Sequence, residues 1–454
     1  MTEFKILDFM CGQGKSTFVR NMVAENPDKK YLYVAPYLSE CHIFAGTKYD
    51  LKDSRKKPIY KDGSKYDYEY NETPVYGADL RFMNFRHPNT RNKLGSKEES
   101  LCRMIERGNN IVSTHALFTD LGSNALECAK EYTLIIDETV NVYELDNIKK
   151  DVDHCLQSGF MSISKEDNMT LIFNRLKYAG RLEREDGKDP MVDSRYEDLA
   201  YQCDLGQLLY IDGKAVVWEL SPKLLKAFKE VWVCTYMFEG SDMCSFFKKH
   251  DIDYSYVKIE GKKKARDVAH LIEVIDDPKL NLIGEVVSLS STVSKHGSTG
   301  KHGTKKLSQE AINTILKNNL HNIFNQKWKA KANDRLWTSY KIQSKVIANG
   351  KYGNQFLSYN YKATNEHINK HHVAFLLNVF QIPMIQQVCN SRDVETSNEH
   401  FAISTLIQFI FRSAVRKGEP IKLYLPSLRM RELLERWKQG EFEFLSDERD
   451  INEK

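Results

Sequence analysis

The segment Ile6-Leu7-Asp8-Phe9-Met10-Cys11-Gly12-Gln13-Gly14-Lys15-Ser16-Thr17 has the residue types and spacing to hold a phosphate chain. Glycines let successive backbone N–H groups point into one concavity, and a helix starting behind them adds positive potential. Lys15 is placed to reach β- and γ-phosphates, and the Ser16 hydroxyl to ligate Mg²⁺. Downstream, Leu134-Ile135-Ile136-Asp137-Glu138 is an apolar run ending in two carboxylates. Asp137 suits a Mg²⁺ on the phosphates and Glu138 suits polarising an attacking water, so the two segments together point to nucleotide hydrolysis.

Both segments need a strand that ends in a loop, and the sequence supplies such strands in alternation with helical patterns. Phe4 to Phe9, Tyr31 to Ala35, Ile111 to Ser113 and Tyr132 to Ile136 read as short buried strands, with a helix over Lys15 to Ala24. This is the βαβ pattern of a parallel sheet. From Asn141 to Lys229 the alternation weakens into charged helices, the polar run Arg184 to Arg195 and a hairpin turning at Asp212 and Gly213, which reads as an insertion. Val231 to Thr235 resumes the first domain, and Lys262, Lys263, Lys264 and Arg266 form a basic linker.

A second set of strands follows at His270 to Ile275, Arg335 to Thr338, Gln355 to Ser358, Val373 to Asn378 and Ile421 to Leu425. Its own insertion holds the run Lys295, His296, Lys301, His302, Lys305 and Lys306 and a helix-like stretch from Leu307 to Trp328. The expected division is therefore 1–260, interrupted at 141–229, and 261–454, interrupted at 294–333.

Composition sets the outer bounds. The 41% hydrophobic fraction builds cores and the 28% charged fraction solvates them, as in a globular protein of two domains. The net charge of +4 is too small to argue for nucleic acid, so any basic surface must be local. Nine cysteines without a CxxC pair or zinc spacing imply reduced thiols, no disulfides and no structural metal. No run reaches membrane-spanning length and the N-terminus carries no signal pattern, so no membrane partner and a cytoplasmic location, in the host if phage-encoded, are expected.

Beyond the two phosphate motifs, the chain resembles superfamily 2 (DExx-box) helicases, and within them short bacteriophage and prophage helicase-like proteins. The phosphate loop lacks the leading glycine of GxxxxGK[ST], since Phe9 stands there, and GxGK[ST] with a non-glycine leader is similar to that superfamily's form. Val34-Ala35-Pro36-Tyr37-Leu38-Ser39-Glu40 resembles motif Ia, Ser113-Thr114-His115-Ala116-Leu117 motif Ic, and Asp137-Glu138-Thr139-Val140 motif II. Cys234-Thr235-Tyr236 stands at the place of motif III but departs from Ser-Ala-Thr, leaving the coupling role of Thr235 open. In the second half, Leu336-Trp337-Thr338-Ser339-Tyr340 resembles motif IV, Ala363-Thr364-Asn365 leading to Val373-Ala374-Phe375-Leu376 motif V, and Gln408-x-x-x-Arg412-x-x-x-Arg416 motif VI. Arg416 follows Gln408 by eight residues instead of the family's seven, so the resemblance leaves the choice of finger between Arg412 and Arg416 open.

The resemblance implies two RecA-like parallel-sheet domains in tandem with ATP and Mg²⁺ between them. Gly12, Gln13, Gly14, Lys15, Ser16 and Thr17 would bind nucleotide, Ser16 and Asp137 the metal, and Gln408, Arg412 and Arg416 would join Lys15, Asp137 and Glu138 in catalysis. A nucleic-acid strand, DNA before RNA, would be held through its backbone by Ser39, Thr114, Ser339 and Thr364, although hydroxyls at loop starts also serve as helix caps. Trp328 and Trp337 flank lysines where a base could stack, with a core role for Trp337 favoured by its strand. No coiled coil is present, so a monomer is expected. The alternatives are a viral packaging motor, against which the second α/β half speaks, and a regulator that uses ATP only as a switch.

Overall fold

The computed structural model describes residues 2–46, 77–88, 95–121, 126–179, 196–259, 261–299, 306–361 and 366–442. In chain order the first half supplies β1 (Glu3–Asp8), helix α1 (Lys15–Glu25), β2 (Lys30–Ala35), helix α2 (Leu38–Ala45), β3 (Ile111–Thr114) and β4 (Tyr132–Asp137). Then come the short strands β5 (Tyr143–Asp146), β6 (Met161–Ile163), β7 (Leu171–Phe173), β8 (Leu208–Ile211) and β9 (Ala215–Glu219), followed by β10 (Glu230–Thr235) and β11 (Ser255–Tyr256). The second half supplies β12 (Ile272–Val274), β13 (Arg335–Thr338), β14 (His372–Phe375) and β15 (Ile421–Tyr424).

The long first sheet runs β11-β1-β10-β4-β2-β3 and every pairing in it is parallel. Its strands are apolar on both faces because helices cover both. Alternation then sends Ile6, Val34, Ile136 and Val233 into one core and Leu7, Tyr33, Ile135 and Cys234 into the other. The second sheet, β12-β15-β14-β13, is likewise parallel. Leu336, Val373 and Leu423 line one of its faces, and Trp337, Ala374 and Tyr424 the other. The molecule is thus α/β with two parallel sheets in tandem.

Between β4 and β10 lie two antiparallel sheets, β5-β9-β8 and β6-β7, with a small core around Val152, Cys155, Phe160 and Leu171. Asp212 (φ 48°) and Gly213 (φ 69°) are both left-handed, which is the two-residue turn that closes the β8–β9 hairpin where the sequence placed it. The stretch from Leu307 becomes a helix at Gln309–His321, capped by Ser308, whose Oγ accepts the Ala311 N–H at 3.2 Å. It continues as a π-turn over Asn322–Lys327.

One expected strand is absent. Gln355 to Ser358 meets β13 at a single bridge, Phe356 to Trp337, after a 3₁₀ turn over Gly353–Gln355. The polar residues at both ends of this segment have no apolar face to bury, so only its middle meets β13: the Phe356 ring lies 5.0 Å from that of Trp337, and buried Leu357 donates its N–H to Trp337 O at 3.0 Å. All nine cysteines are free.

The two halves share a core. The helix Pro383–Asn390 follows β14 in the chain, yet its buried Ile385, Val388 and Cys389 join the cluster of Phe4, Val233 and Phe246 beneath the first sheet. Ile385→Ala is expected to destabilise the protein by about 2–5 kcal/mol, the cost of emptying a buried aliphatic site. Denaturant unfolding followed by tryptophan fluorescence checks this. A loss below about 0.5 kcal/mol would mean the helix is only loosely seated.

Candidate active site

β1 ends at Asp8, and the chain then turns through Gly12 (φ 81°) and Gly14 (φ 83°), both in the left-handed region that glycine enters without strain. Gly14 is the N-cap of α1 and no side chain caps that helix, so its first-turn N–H groups point into the open loop. Gly12, Gly14 and Ser16 are exposed there, and the Lys15 ammonium folds back across the loop to donate to Phe9 O at 2.6 Å. This concavity of N–H groups and one ammonium suits a phosphate chain.

Phe9, where the longer motif has glycine, is a buried core residue whose ring lies 4.4 Å from Lys262 Nζ and 6.0 Å from Lys15 Nζ. The ring supplies a cation-binding face to both lysines. Lys262, read from sequence as linker, sits at the foot of the loop and donates to Val257 O at 3.3 Å. Lys263 donates its backbone N–H to Gln13 Oε1 at 2.8 Å. Beneath the loop, half-buried Asp8 accepts the N–H groups of Met237 and Phe238, each at 2.8 Å, which ties the segment after β10 to the glycine loop. Burial pushes the Asp8 carboxyl up, against the pull of those two N–H groups, Lys15 and Lys262.

β10 lies between β1 and β4, with Leu7, Cys234 and Asp137 in register. The loop strand and the acidic strand are therefore two strand spacings, roughly 10 Å, apart. Asp137 Oδ2 accepts the Tyr33 hydroxyl at 2.5 Å, and its carbonyl lies 2.9 Å from His115 Nε2. Asp137 is half-buried, and its carboxyl is pushed up first by desolvation and then by Glu138, while Tyr33, Lys15 and Arg416 pull it down. Glu138 leaves the strand in a left-handed conformation, φ 62°, with its N–H on Cys234 O at 2.8 Å. For a glutamate this costs about 1 kcal/mol or more, strain that often accompanies a working site. The Asp137 carboxylate is thus held by Tyr33, and no hydrogen bond to a described residue holds that of Glu138.

The second half delivers two arginines. The helix Asn398–Ile410 ends before them, and a turn and a 3₁₀ segment, Ala414–Lys417, carry Arg416. This helix end explains how a spacing of eight still brings Arg416 to the loop. A Cβ on Gly12 would lie 3.0 Å from Arg416 Cγ and 3.3 Å from Arg416 O, so only glycine admits so close an approach. The Arg416 guanidinium makes no hydrogen bond or ion pair with the described residues, and its charge acts on Asp137 and Glu40. Arg412 is buried, donates to Tyr359 O at 3.1 Å and is charge-coupled to Glu138. Gln408 stays on the helix, where Nε2 donates to Ser404 Oγ at 3.2 Å, and makes no described contact with the loop or the acids.

Glu40, inside the sequence match to motif Ia but given no role there, belongs to the same cluster. It is the third residue of α2, reaches back to the N–H of the cap residue Tyr37, and leaves Oε2 buried without a hydrogen-bond partner. Burial, then Asp137 and Glu138, push its carboxyl up to about 9. The legible signal was an acid at the capping-box position of α2. Tyr37 also crosses to the second half, stacking on Tyr361 with centroids 5.1 Å apart.

Of the residues expected along a strand path, Thr114 ends β3 and Ser39 follows the end of the neighbouring strand β2. Ser39 lies in the first turn of α2, and Thr114 caps the helix His115–Thr119, accepting Leu117 N–H at 3.4 Å. Ser339 is buried and donates to Tyr340 O at 3.2 Å. Thr364 lies outside the described residues, as do Lys301, His302 and Lys305. Trp337 is core, with Nε1 donating to Tyr352 O at 2.8 Å, and Trp328 lies against His372 at 5.3 Å.

Residues 266–438 match the family model of the YonV C-terminal Rossmann-like domain, a range that includes all four strands of the second sheet. The chain is similar to the SPbeta prophage-derived uncharacterized protein YonV of Bacillus subtilis (strain 168), with 27% identity across 97% of this chain and 100% of that one. Among solved structures it is similar to Xpd4 of S. tokodaii, with a TM-score of 0.47 and 11% identity over 95% of this chain and 93% of the other.

Proposed function

We propose that this chain is an ATP-hydrolysing nucleic-acid motor, a superfamily 2 helicase or translocase, acting on DNA in phage replication, recombination or repair. The observation that carries the proposal is Arg416 of the second half lying on Gly12 of the glycine loop, 3.0 Å from where a Cβ there would stand. An arginine delivered from a second domain onto a phosphate loop is the arrangement by which nucleotide state and domain position control each other.

In this reading the N–H groups of Gly12 to Thr17 and the Lys15 ammonium bind the β- and γ-phosphates. Ser16 and Asp137 would hold Mg²⁺, which when bound neutralises charge on the phosphates. That donor set suits it, because Mg²⁺ takes one or two protein oxygens and fills its remaining positions with phosphate and water. Glu138 orients the attacking water, and Arg416, with Arg412 behind it, meets the charge developing on the γ-phosphate. Domain closure on ATP and opening after hydrolysis would step a strand held by its phosphates, with Ser39 and Thr364 among the contacts. Among the described residues no helix is long and apolar enough to cross a membrane, and host cytoplasm is the proposed location.

The test is ATP hydrolysis by the full chain with no polymer, single-stranded DNA, duplex DNA or RNA. Stimulation of at least about tenfold by one polymer is expected, an effect of roughly 1.4 kcal/mol on the barrier. Hydrolysis indifferent to all three would instead support an ATP-switched regulator.

A further inference from the structure

The rings of Tyr37 and Tyr361 come from opposite halves and stack with centroids 5.1 Å apart and planes 28° apart. Tyr37 is the N-cap of α2, just past the end of β2. Tyr361 lies beyond the parallel bridge of Phe356 to Trp337, on chain that runs alongside β13 and out past its carboxyl end. The pair therefore stands at the carboxyl edges of both sheets, the side of an α/β fold where ligands bind. The segment that presents Tyr361 is fastened along its length. Leu357 donates its N–H to Trp337 O at 3.0 Å, the Tyr359 carbonyl accepts from buried Arg412 at 3.1 Å, and the Tyr359 ring meets that of Tyr340 edge-on at 5.8 Å. A turn closes it, with the Tyr361 N–H on Ser358 O at 3.0 Å. With Tyr37 against one face of its ring, Tyr361 is still 41% exposed.

We infer that Tyr361 is a stacking platform for an unpaired nucleobase of a bound single strand, with Tyr37 as its backing. The inference rests on the nucleic-acid reading above and adds to it the form of the track, since a base held in a duplex has no free face to offer. Every base has a π-face, so such a contact would hold a moving strand without reading its sequence. A ring already fixed by a stacked neighbour and a pinned backbone loses little freedom on binding, so most of the stacking energy appears as affinity. Trp337, by contrast, is fully buried and offers no face.

The test is binding of the full chain, by fluorescence anisotropy, to labelled single-stranded oligothymidylate and to an abasic strand of the same length and phosphate count. The wild type is expected to bind the base-bearing strand at least about fivefold more tightly, the lower end of what one stacked base contributes. Tyr361→Ala should lower that preference by about fivefold, and Tyr361→Phe, which keeps the ring, should retain it. A wild type that binds both strands alike would overturn the inference while leaving the motor reading intact. A preference unchanged in Tyr361→Ala would overturn it too, and equal weakening of both strands in that variant would make the stack a structural tie between the halves. No binding of either strand by the wild type would remove the reading and the inference together.

Discussion

Lys15→Ala is expected to lower ATP turnover by about 100- to 1000-fold, the usual consequence of removing a preorganised charge from a transition state. The only hydrogen bond described for the ammonium is to Phe9 O, at 2.6 Å, so its loss should leave the fold intact. A melting curve that overlays the wild type, beside hydrolysis reduced to background, is the expected pair of results. Turnover within about threefold of wild type would be an effect below 1 kcal/mol, too small for a phosphate ligand, and would sink the nucleotide reading of the whole loop.

Arg416→Ala should be more severe in turnover and equally mild in stability. An arginine that meets a transferring phosphoryl group contributes about 10³- to 10⁵-fold, and this guanidinium has no bond among the described residues to lose. Arg412→Ala is expected to behave differently. The residue is 5% exposed and its guanidinium donates to Tyr359 O, so truncation leaves a cavity and an unmatched carbonyl and should lower the melting temperature as well as activity. Single-turnover hydrolysis and thermal melting on both variants separate the roles. A stable Arg412→Ala that is inactive, beside an active Arg416→Ala, would reverse the assignment.

The strand, glycine turn and helix around Gly12 and Gly14, the acidic strand end and the two parallel sheets were readable in the sequence because each is a local pattern. A strand running into a glycine turn and a helix, or an apolar run ending in Asp137-Glu138, can be recognised without knowing what lies beside it. What could not be read was made by tertiary contact. The Arg416 spacing resolves only because the Asn398–Ile410 helix stops before the arginines. Lys262 reads as linker until Phe9 is seen to offer it a ring. Tyr33 and Asp8 look like ordinary strand residues, and only the pairing of β2 with β4 turns Tyr33 into the holder of Asp137, as that of β1 with β10 turns Asp8 into the anchor of the Met237 segment. Thr114, weighed as a strand contact or a cap, sits as the cap in this arrangement.

The helix Pro383–Asn390, seated under the first sheet, gives the chain a timetable. A ribosome releases β1, the phosphate loop and β10 long before Ile385 and Val388, which belong to the same core. The amino-terminal half must therefore wait, with an apolar gap in its underside, until residue 390 and the tunnel length behind it have been made. Fragments ending at the linker would be soluble only while chaperoned. Swapping the carboxy-terminal half for that of a distant relative would succeed only if this one helix travelled with its original sheet.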